Sequence, residues 1–218
     1  MADCFEEAEK FQLVILPDAG SNDYEWHAKL NEKNIDILII DHHEAEYVSK
    51  DAVVINNQLC DYPNKTLSGV GVVYKFCQYM DKILNKDIAI DYLDLVAVGL
   101  IADMVDIREL ETRYYISEGL ANPRNPFILG MMEKNEFKIQ GELSPFKVSF
   151  YIAPFINATI RSGGADDKRI LFEAMLEINN EKMVDSTKRG CFGEQETLID
   201  QVCRNCGNIK NRQDKLAD

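Results

Sequence analysis

No apolar run in this sequence approaches the ~18 residues that a membrane span needs, and the opening Met1-Ala2-Asp3-Cys4-Phe5-Glu6-Glu7 is too acidic for a signal peptide. The six cysteines fall in no regular framework, which argues against a disulfide scaffold and, with seven methionines, fits a reducing cytoplasm. Basic residues are in deficit: 24 Lys and Arg against 37 Asp and Glu leave a formal net charge of −13. A general nucleic-acid-binding surface would be basic. An enzyme acting on nucleic acid stays open, because bound divalent cations invert the local potential of an acidic site. Internal repeats and low-complexity tracts are lacking, and Trp26 and the tyrosines are too scattered to form a base-stacking platform. With 218 residues at 46% hydrophobic, the chain can bury a sizeable core as one large domain, or as one domain with an appendage. The expectation is a cytoplasmic, soluble protein with no membrane partner.

What is present reads as alternating strands and helices. Phe11 to Leu16 is a strand ended by Pro17-Asp18-Ala19-Gly20. Ser21 and Asn22 are candidate helix caps, and Asp23 to Lys33 reads as a short helix. The run Ile35-Asp36-Ile37-Leu38-Ile39-Ile40 is apolar enough for a central strand of a parallel sheet. Ala52 to Ile55 is a third strand. Gly69 to Leu84 and Tyr92 to Ile101 read as helices, the second so apolar that it must be buried, and it ends in Asp103. Asn122-Pro123-Arg124-Asn125-Pro126 breaks the pattern, and a weaker mixed region follows to about Ser149. Ile170 to Ile178 marks another amphipathic helix. A last helix, about Glu194 to Arg212, carries Leu198, Ile199, Val202, Cys206 and Ile209 in one stripe. The fold class expected is α/β, a mostly parallel sheet flanked by helices and ending in a long connector helix, with one domain over residues 1–190 and the connector over 191–218.

Histidine is scarce, with three in the chain, yet two adjoin at the end of a strand in Asp41-His42-His43. Open α/β sheets place ligands and chemistry at the carboxyl ends of their strands. If the first two strands are neighbours, Asp18 and Asp41-His42-His43 share one edge of the sheet. Oxygen and imidazole donors together suit Mn²⁺, Zn²⁺ or Mg²⁺. Any one of these aspartates, taken alone, also reads as a cap or turn residue.

The motifs Leu16-Pro17-Asp18-Ala19-Gly20, Ile39-Ile40-Asp41-His42-His43, Leu67-Ser68-Gly69-Val70-Gly71-Val72, and Tyr92 through Asp103, followed by Ile152 through Ala158 with Arg161, occur in a fixed order. In that order they resemble those of DHH-family phosphoesterases, nearest to the RecJ-type, single-strand-specific 5′→3′ exonucleases and to a phage-encoded version. The resemblance spans roughly Phe11 to Arg161. It implies that Asp18, His42 and Asp103 are metal ligands and that Asp41 and His43 belong to the catalytic group. Asp41 would orient its neighbours, and His43 would face the substrate phosphate or a second ion. It implies Mn²⁺ or Mg²⁺ as cofactor, two ions in the complete protein, with single-stranded DNA as partner. Ser68 and Gly69 at a helix start, with Asn157 and Arg161, would contact that substrate. Two further readings remain within reach: a DHH phosphodiesterase cleaving short oligonucleotides or cyclic dinucleotides, or a pyrophosphatase, and, in another class, a non-catalytic scaffold module.

The family's first motif, an Asp-x-Asp with a following Gly, has no counterpart in this sequence, and only 17 residues precede Asp18. The family's carboxyl-terminal substrate-binding domain also has none, so the expectation is a fragment truncated at both ends. Glu111 and Arg113, after the fourth motif, read most plainly as a structural salt bridge. Cys203-Arg204-Asn205-Cys206 lacks the further ligands of a zinc site and reads as core packing on a helix.

Overall fold

The chain is described by a computed structural model over residues 4–179, 181–191 and 193–217. Two compact units divide at residues 115 and 116, whereas the sequence put a boundary at residue 190. The first unit runs through α1 (Phe5–Ala8), β1 (Leu13–Pro17), α2 (Tyr24–Asn31), β2 (Asp36–Asp41), β3 (Val53–Asn56), α3 (Gly69–Leu84) and α4 (Leu93–Ala102) to the start of α5 (Leu110–Ala121).

β2 is the middle of a three-stranded parallel sheet of order β1-β2-β3. Its register pairs Asp36 with Leu13 on one side and Leu38 with Val53 on the other. That central position explains its composition, for a strand covered on both faces must be apolar on both: Ile37, Ile39 and Ile40 are all buried. β1, at an edge, alternates instead. Leu13 and Ile15 are exposed, while Val14 and Leu16 pack against Ala8, Leu30, Ile35, Ile37 and Ile39. α2 and α3 both lie against β2. Ser21 and Asn22, expected as caps for α2, do not cap it; Asp23 holds the cap position without a side-chain capping bond. His27 is fully buried on α2, and burial depresses its basicity, so it sits in the core as a neutral ring.

The second unit holds α6 (Pro126–Lys134), α7 (Glu136–Ile139), α8 (Pro145–Tyr151), α9 (Ala153–Ser162), α10 (Ala165–Met175), an antiparallel pair β4 (Met183–Asp185) and β5 (Gln195–Thr197), and α11 (Leu198–Ala217). The region left weak by periodicity resolves into short helices started by local chemistry. Pro126 and Pro145 stand in the first turns of α6 and α8, where a missing N–H costs nothing, behind the caps Asn125 and Ser144. Asn125 also donates to the Met175 carbonyl at 2.9 Å, so the Pro-rich break is a fastened cap. α11 packs on α6, α9 and α10, and its predicted stripe, Leu198, Ile199, Val202, Cys206 and Ile209, is buried throughout. Each such aliphatic side chain contributes about 1.5–3 kcal/mol on leaving water. Gly130 permits the approach of α11 to α6, since a Cβ there would lie 2.6 Å from Ile199 Cγ2. Cys203 is buried in the same seam, and burial pushes its thiol up to about 12, a hydrophobe rather than a thiolate ligand.

Candidate metal centre

Because β1 and β2 run parallel, their carboxyl ends meet at one edge, Pro17 opposite Ile40. The Asp18 N–H continues the ladder by donating to the Ile40 carbonyl at 2.8 Å. Asp18 itself turns into the left-handed region, φ 61°, a conformation that costs an L-residue about 1 kcal/mol but that Asp tolerates better than most. The turn sets its Oδ1 3.2 Å from His42 Nε2. Asp103, the residue that caps α4, brings its Oδ2 to 4.0 Å from the same nitrogen. One ligand atom each from Asp18, His42 and His43 lies within 4.8 Å of the others.

Asp41 plays a different part. It is 1% exposed and accepts from the Ser21 N–H at 3.1 Å, the His42 N–H at 2.8 Å and His43 Nδ1 at 2.7 Å. Burial alone would raise its carboxyl, but these donors outweigh it and hold the group down at about 2. The ionised Asp41 in turn raises His43 above the ordinary imidazole value. It also fixes the ring with Nδ1 inward, leaving Nε2 facing out. His43 is 59% exposed by side chain and Asp18 61%, so the cluster is open to solvent.

Burial raises the Asp18 carboxyl; His42 and His43 pull it back, and Asp103 and Asp41 push it up again. Carboxylates crowded around two imidazoles are the environment a divalent cation relieves, and the mixed oxygen and nitrogen donors suit Mn²⁺, Mg²⁺ or Zn²⁺. The donor set therefore fits such an ion.

Gly69 and Ser68 lie beside this cluster rather than out in solvent. A Cβ at Gly69 would overlap the Asp18 carboxylate, at 2.5 Å from its Cγ. Ser68 is 2% exposed, and its Oγ has no partner among the described residues. Asn157 and Arg161 belong to the second unit, one turn apart on α9. Arg161 is exposed on the last helical turn, not on a loop as its Ser-Gly-Gly neighbours suggest. Glu111 forms its salt bridge with Lys75 at 3.3 Å, not with Arg113, and accepts from the hydroxyls of Tyr62 and Tyr115.

Sequence reasoning missed Asn56. It ends β3 directly beside Asp41, in register. Its buried amide donates to Ser21 Oγ at 2.8 Å and to the His43 carbonyl at 2.9 Å. A polar residue closing an otherwise apolar strand was the available signal.

Comparison with known proteins gives the following. Residues 3–100 match the model of the DHH family, N-terminal domain. A SPbeta prophage-derived protein of Bacillus subtilis strain 168, YorK, assigned by its name to the single-strand DNA-specific exonucleases, is 43% identical over 207 residues, covering 94% of this chain and 36% of its own. The single-stranded-DNA-specific exonuclease RecJ of the same organism is 35% identical over 161 residues, 72% of this chain and 20% of that protein. The chain thus spans about a third or less of the length of these relatives. Among solved structures, RecJ of Thermus thermophilus in complex with Mn²⁺ superposes with a TM-score of 0.80 at 21% identity, over 99% of this chain and 30% of that one. An exonuclease RecJ bound to manganese gives 0.78 at 22% identity, over 99% and 51%. The common fold includes the parallel sheet, its flanking helices and the long last helix.

Proposed function

Since the chain belongs to the DHH family through its N-terminal domain, we propose that it carries the metal-binding part of a Mn²⁺- or Mg²⁺-dependent phosphodiesterase that hydrolyses single-stranded DNA from the 5′ end. The observation that carries this reading is the convergence of Asp18, His42 and His43 donor atoms within 4.8 Å at the carboxyl edge of the sheet. The names and metals of the relatives support the substrate and the ion.

In this reading Asp18, His42 and Asp103 hold the ion. When bound, it supplies a Lewis acid for the phosphoryl oxygens and lowers the pKa of an attacking water. The chain's own residues do the rest. Asp41, kept ionised by its donors, locks the His43 ring through Nδ1. His43 Nε2 then faces the phosphate, placed to pass a proton to the departing 3′ oxygen as water adds to phosphorus and the P–O bond breaks. Gly69 leaves room for the Asp18 carboxylate, and Arg161, exposed on the last turn of α9, is a cation suited to a backbone phosphate.

The test is Mn²⁺ titration of the chain by calorimetry, with release of mononucleotides from 5′-labelled single strands as the functional readout. His42→Ala should lower Mn²⁺ affinity at least ~10-fold and abolish turnover while leaving the circular dichroism spectrum unchanged. Unaltered Mn²⁺ affinity in that variant would remove the ligand assignment. Wild-type binding of Mn²⁺ with cleavage of cyclic dinucleotides but not of single strands would transfer the chain to the other phosphodiesterases.

A further inference from the structure

Two tyrosines that stand 23 residues apart in the sequence, Tyr24 and Tyr47, are stacked by the fold, with ring centroids 4.1 Å apart and planes within 12°. Tyr24 opens α2, and Tyr47 lies in the segment that follows His43. The pair is fastened at the backbone as well. The Tyr24 hydroxyl donates to the Tyr47 carbonyl at 3.0 Å and accepts from the Tyr47 N–H at 3.3 Å. Asn22 holds the start of the same segment, donating to the Glu44 carbonyl at 2.7 Å. Tyr24 also meets the fully buried His27 edge-on, at 6.1 Å and 82°. Ring contacts therefore run from the core through Tyr24 to Tyr47, which is 54% exposed. An exposed aromatic side chain is held here in one orientation, and its own hydroxyl has no part in the hydrogen bonds that hold it.

From this arrangement we infer that Tyr47 is the plate on which a base of the bound single strand stacks. The inference rests on the single-strand reading of the metal centre and adds the place where a base is held. Tyr47 follows His43 by four residues, so even a fully extended chain keeps it within about 14 Å of that residue. A strand lying on the metal centre reaches it within a short run of nucleotides. An aromatic face accepts every base, because each has a π-face of its own, and so holds a strand without reading its sequence. The neighbours select which part of the strand is held. Glu44 and Glu46 are exposed in the same segment and repel phosphate, so the neutral base is the part that meets the ring. The ring is oriented before the strand arrives, which spares the ordering that a free side chain would require.

The probe is a short deoxyadenylate strand with phosphorothioate linkages, which resist cleavage. Its binding to the 218-residue chain in Mn²⁺ is read by fluorescence anisotropy of a 3′ label. Tyr47→Leu leaves the backbone groups that bond the Tyr24 hydroxyl and removes the plate. It binds the strand about 10-fold more weakly, within what one base–aromatic stack supplies. Tyr47→Trp binds as tightly as the wild type, and Mn²⁺ affinity by calorimetry is the same in all three proteins. An abasic nucleotide is then moved through the first few positions from the 5′ end. At one of them the wild type loses the same factor of about 10, and Tyr47→Leu loses nothing further. Three results each overturn the inference: equal strand affinity of wild type and Tyr47→Leu, none included; a Tyr47→Leu defect undiminished on every abasic strand; or a fall in Mn²⁺ affinity in that variant. The hydrolytic reading fails separately, through absent Mn²⁺ binding or absent release of mononucleotides from ordinary strands by the wild type.

Discussion

Each of the two units buries a carboxylate held at about 2, Asp41 in the first and Glu196 in the second, and they are held in opposite ways. Glu196 is neutralised by cations: Arg204 forks onto both of its oxygens, with 2.7 Å to Oε1, and Lys188 lies 3.2 Å away. Asp41 meets no such cation among its hydrogen-bond partners, which are the N–H groups of its own loop, the Ser21 N–H and an imidazole whose far side is open. One arrangement ends the electrostatics locally and fastens β5 to α11. The other passes the charge on to an exposed ring. The buried orphan atoms found among the described residues follow the same division: His27, Asn57 and Ser68 all lie in the first unit. Local satisfaction is incomplete in the unit to which the proposed reading assigns the metal centre.

If the second unit is a packed scaffold, its sensitivity is to volume. Phe127 on α6 is fully buried, and Phe127→Ala should cost about 4 kcal/mol through the cavity it leaves. Denaturant unfolding measures this. The comparison breaks if the loss is below about 1 kcal/mol, or if Mn²⁺ affinity per folded molecule falls as well.

The first unit should respond to geometry at constant stability. In Gly69→Ala the new methyl group overlaps the Asp18 carboxylate, so that carboxylate must swing away. A displacement of about 1 Å in a catalytic constellation costs roughly 100-fold in rate. We expect that loss in metal-dependent turnover, a matching drop in Mn²⁺ affinity and a change in thermal midpoint of only a few degrees. Retained Mn²⁺ affinity would mean that Asp18 is not held by this contact.

The same division governs what could be read from the sequence. The sheet was legible, because a strand apolar on both faces such as β2 has few alternatives. The α11 stripe was legible too, because its period survives for three turns. The ends of β1 and β2 were legible as a shared edge once the strands were taken as parallel neighbours. The short helices α6, α7 and α8 were not, since none carries a repeating apolar face long enough to show, and α6 and α8 are set by a cap and a proline. Ser21 was misread as a helix cap because its role, meeting Asp41 and Asn56, depends on partners 20 and 35 residues away. The contact of Gly69 with Asp18 depends on the packing of α3 against the strand ends, which no local pattern encodes.

The smallest expected effect concerns Glu196, and it has a pH signature. Arg204→Met removes the cation that lies on both carboxylate oxygens but leaves Lys188 and the Thr187 N–H in place. The cost at neutral pH should therefore stay near ~2 kcal/mol, short of that for a fully orphaned buried charge. The Glu196 carboxyl is depressed in the folded chain, to about 2, so the unfolded chain takes up its proton first as pH falls. The stabilisation is complete above the ordinary glutamate value of about 4.3 and drains away as pH falls towards 2. Wild type and Arg204→Met should thus differ most at about pH 7, differ less at about pH 3 and converge only as pH nears 2. Asp41, His42 and His43 make no contact with Arg204 among the described residues, so Mn²⁺ affinity at neutral pH should not change. Equal differences in unfolding free energy at the two pH values would show that Arg204 stabilises the second unit by packing its stem. The contrast between a charge neutralised for stability and a charge relayed to a histidine would then fail on the side of Glu196.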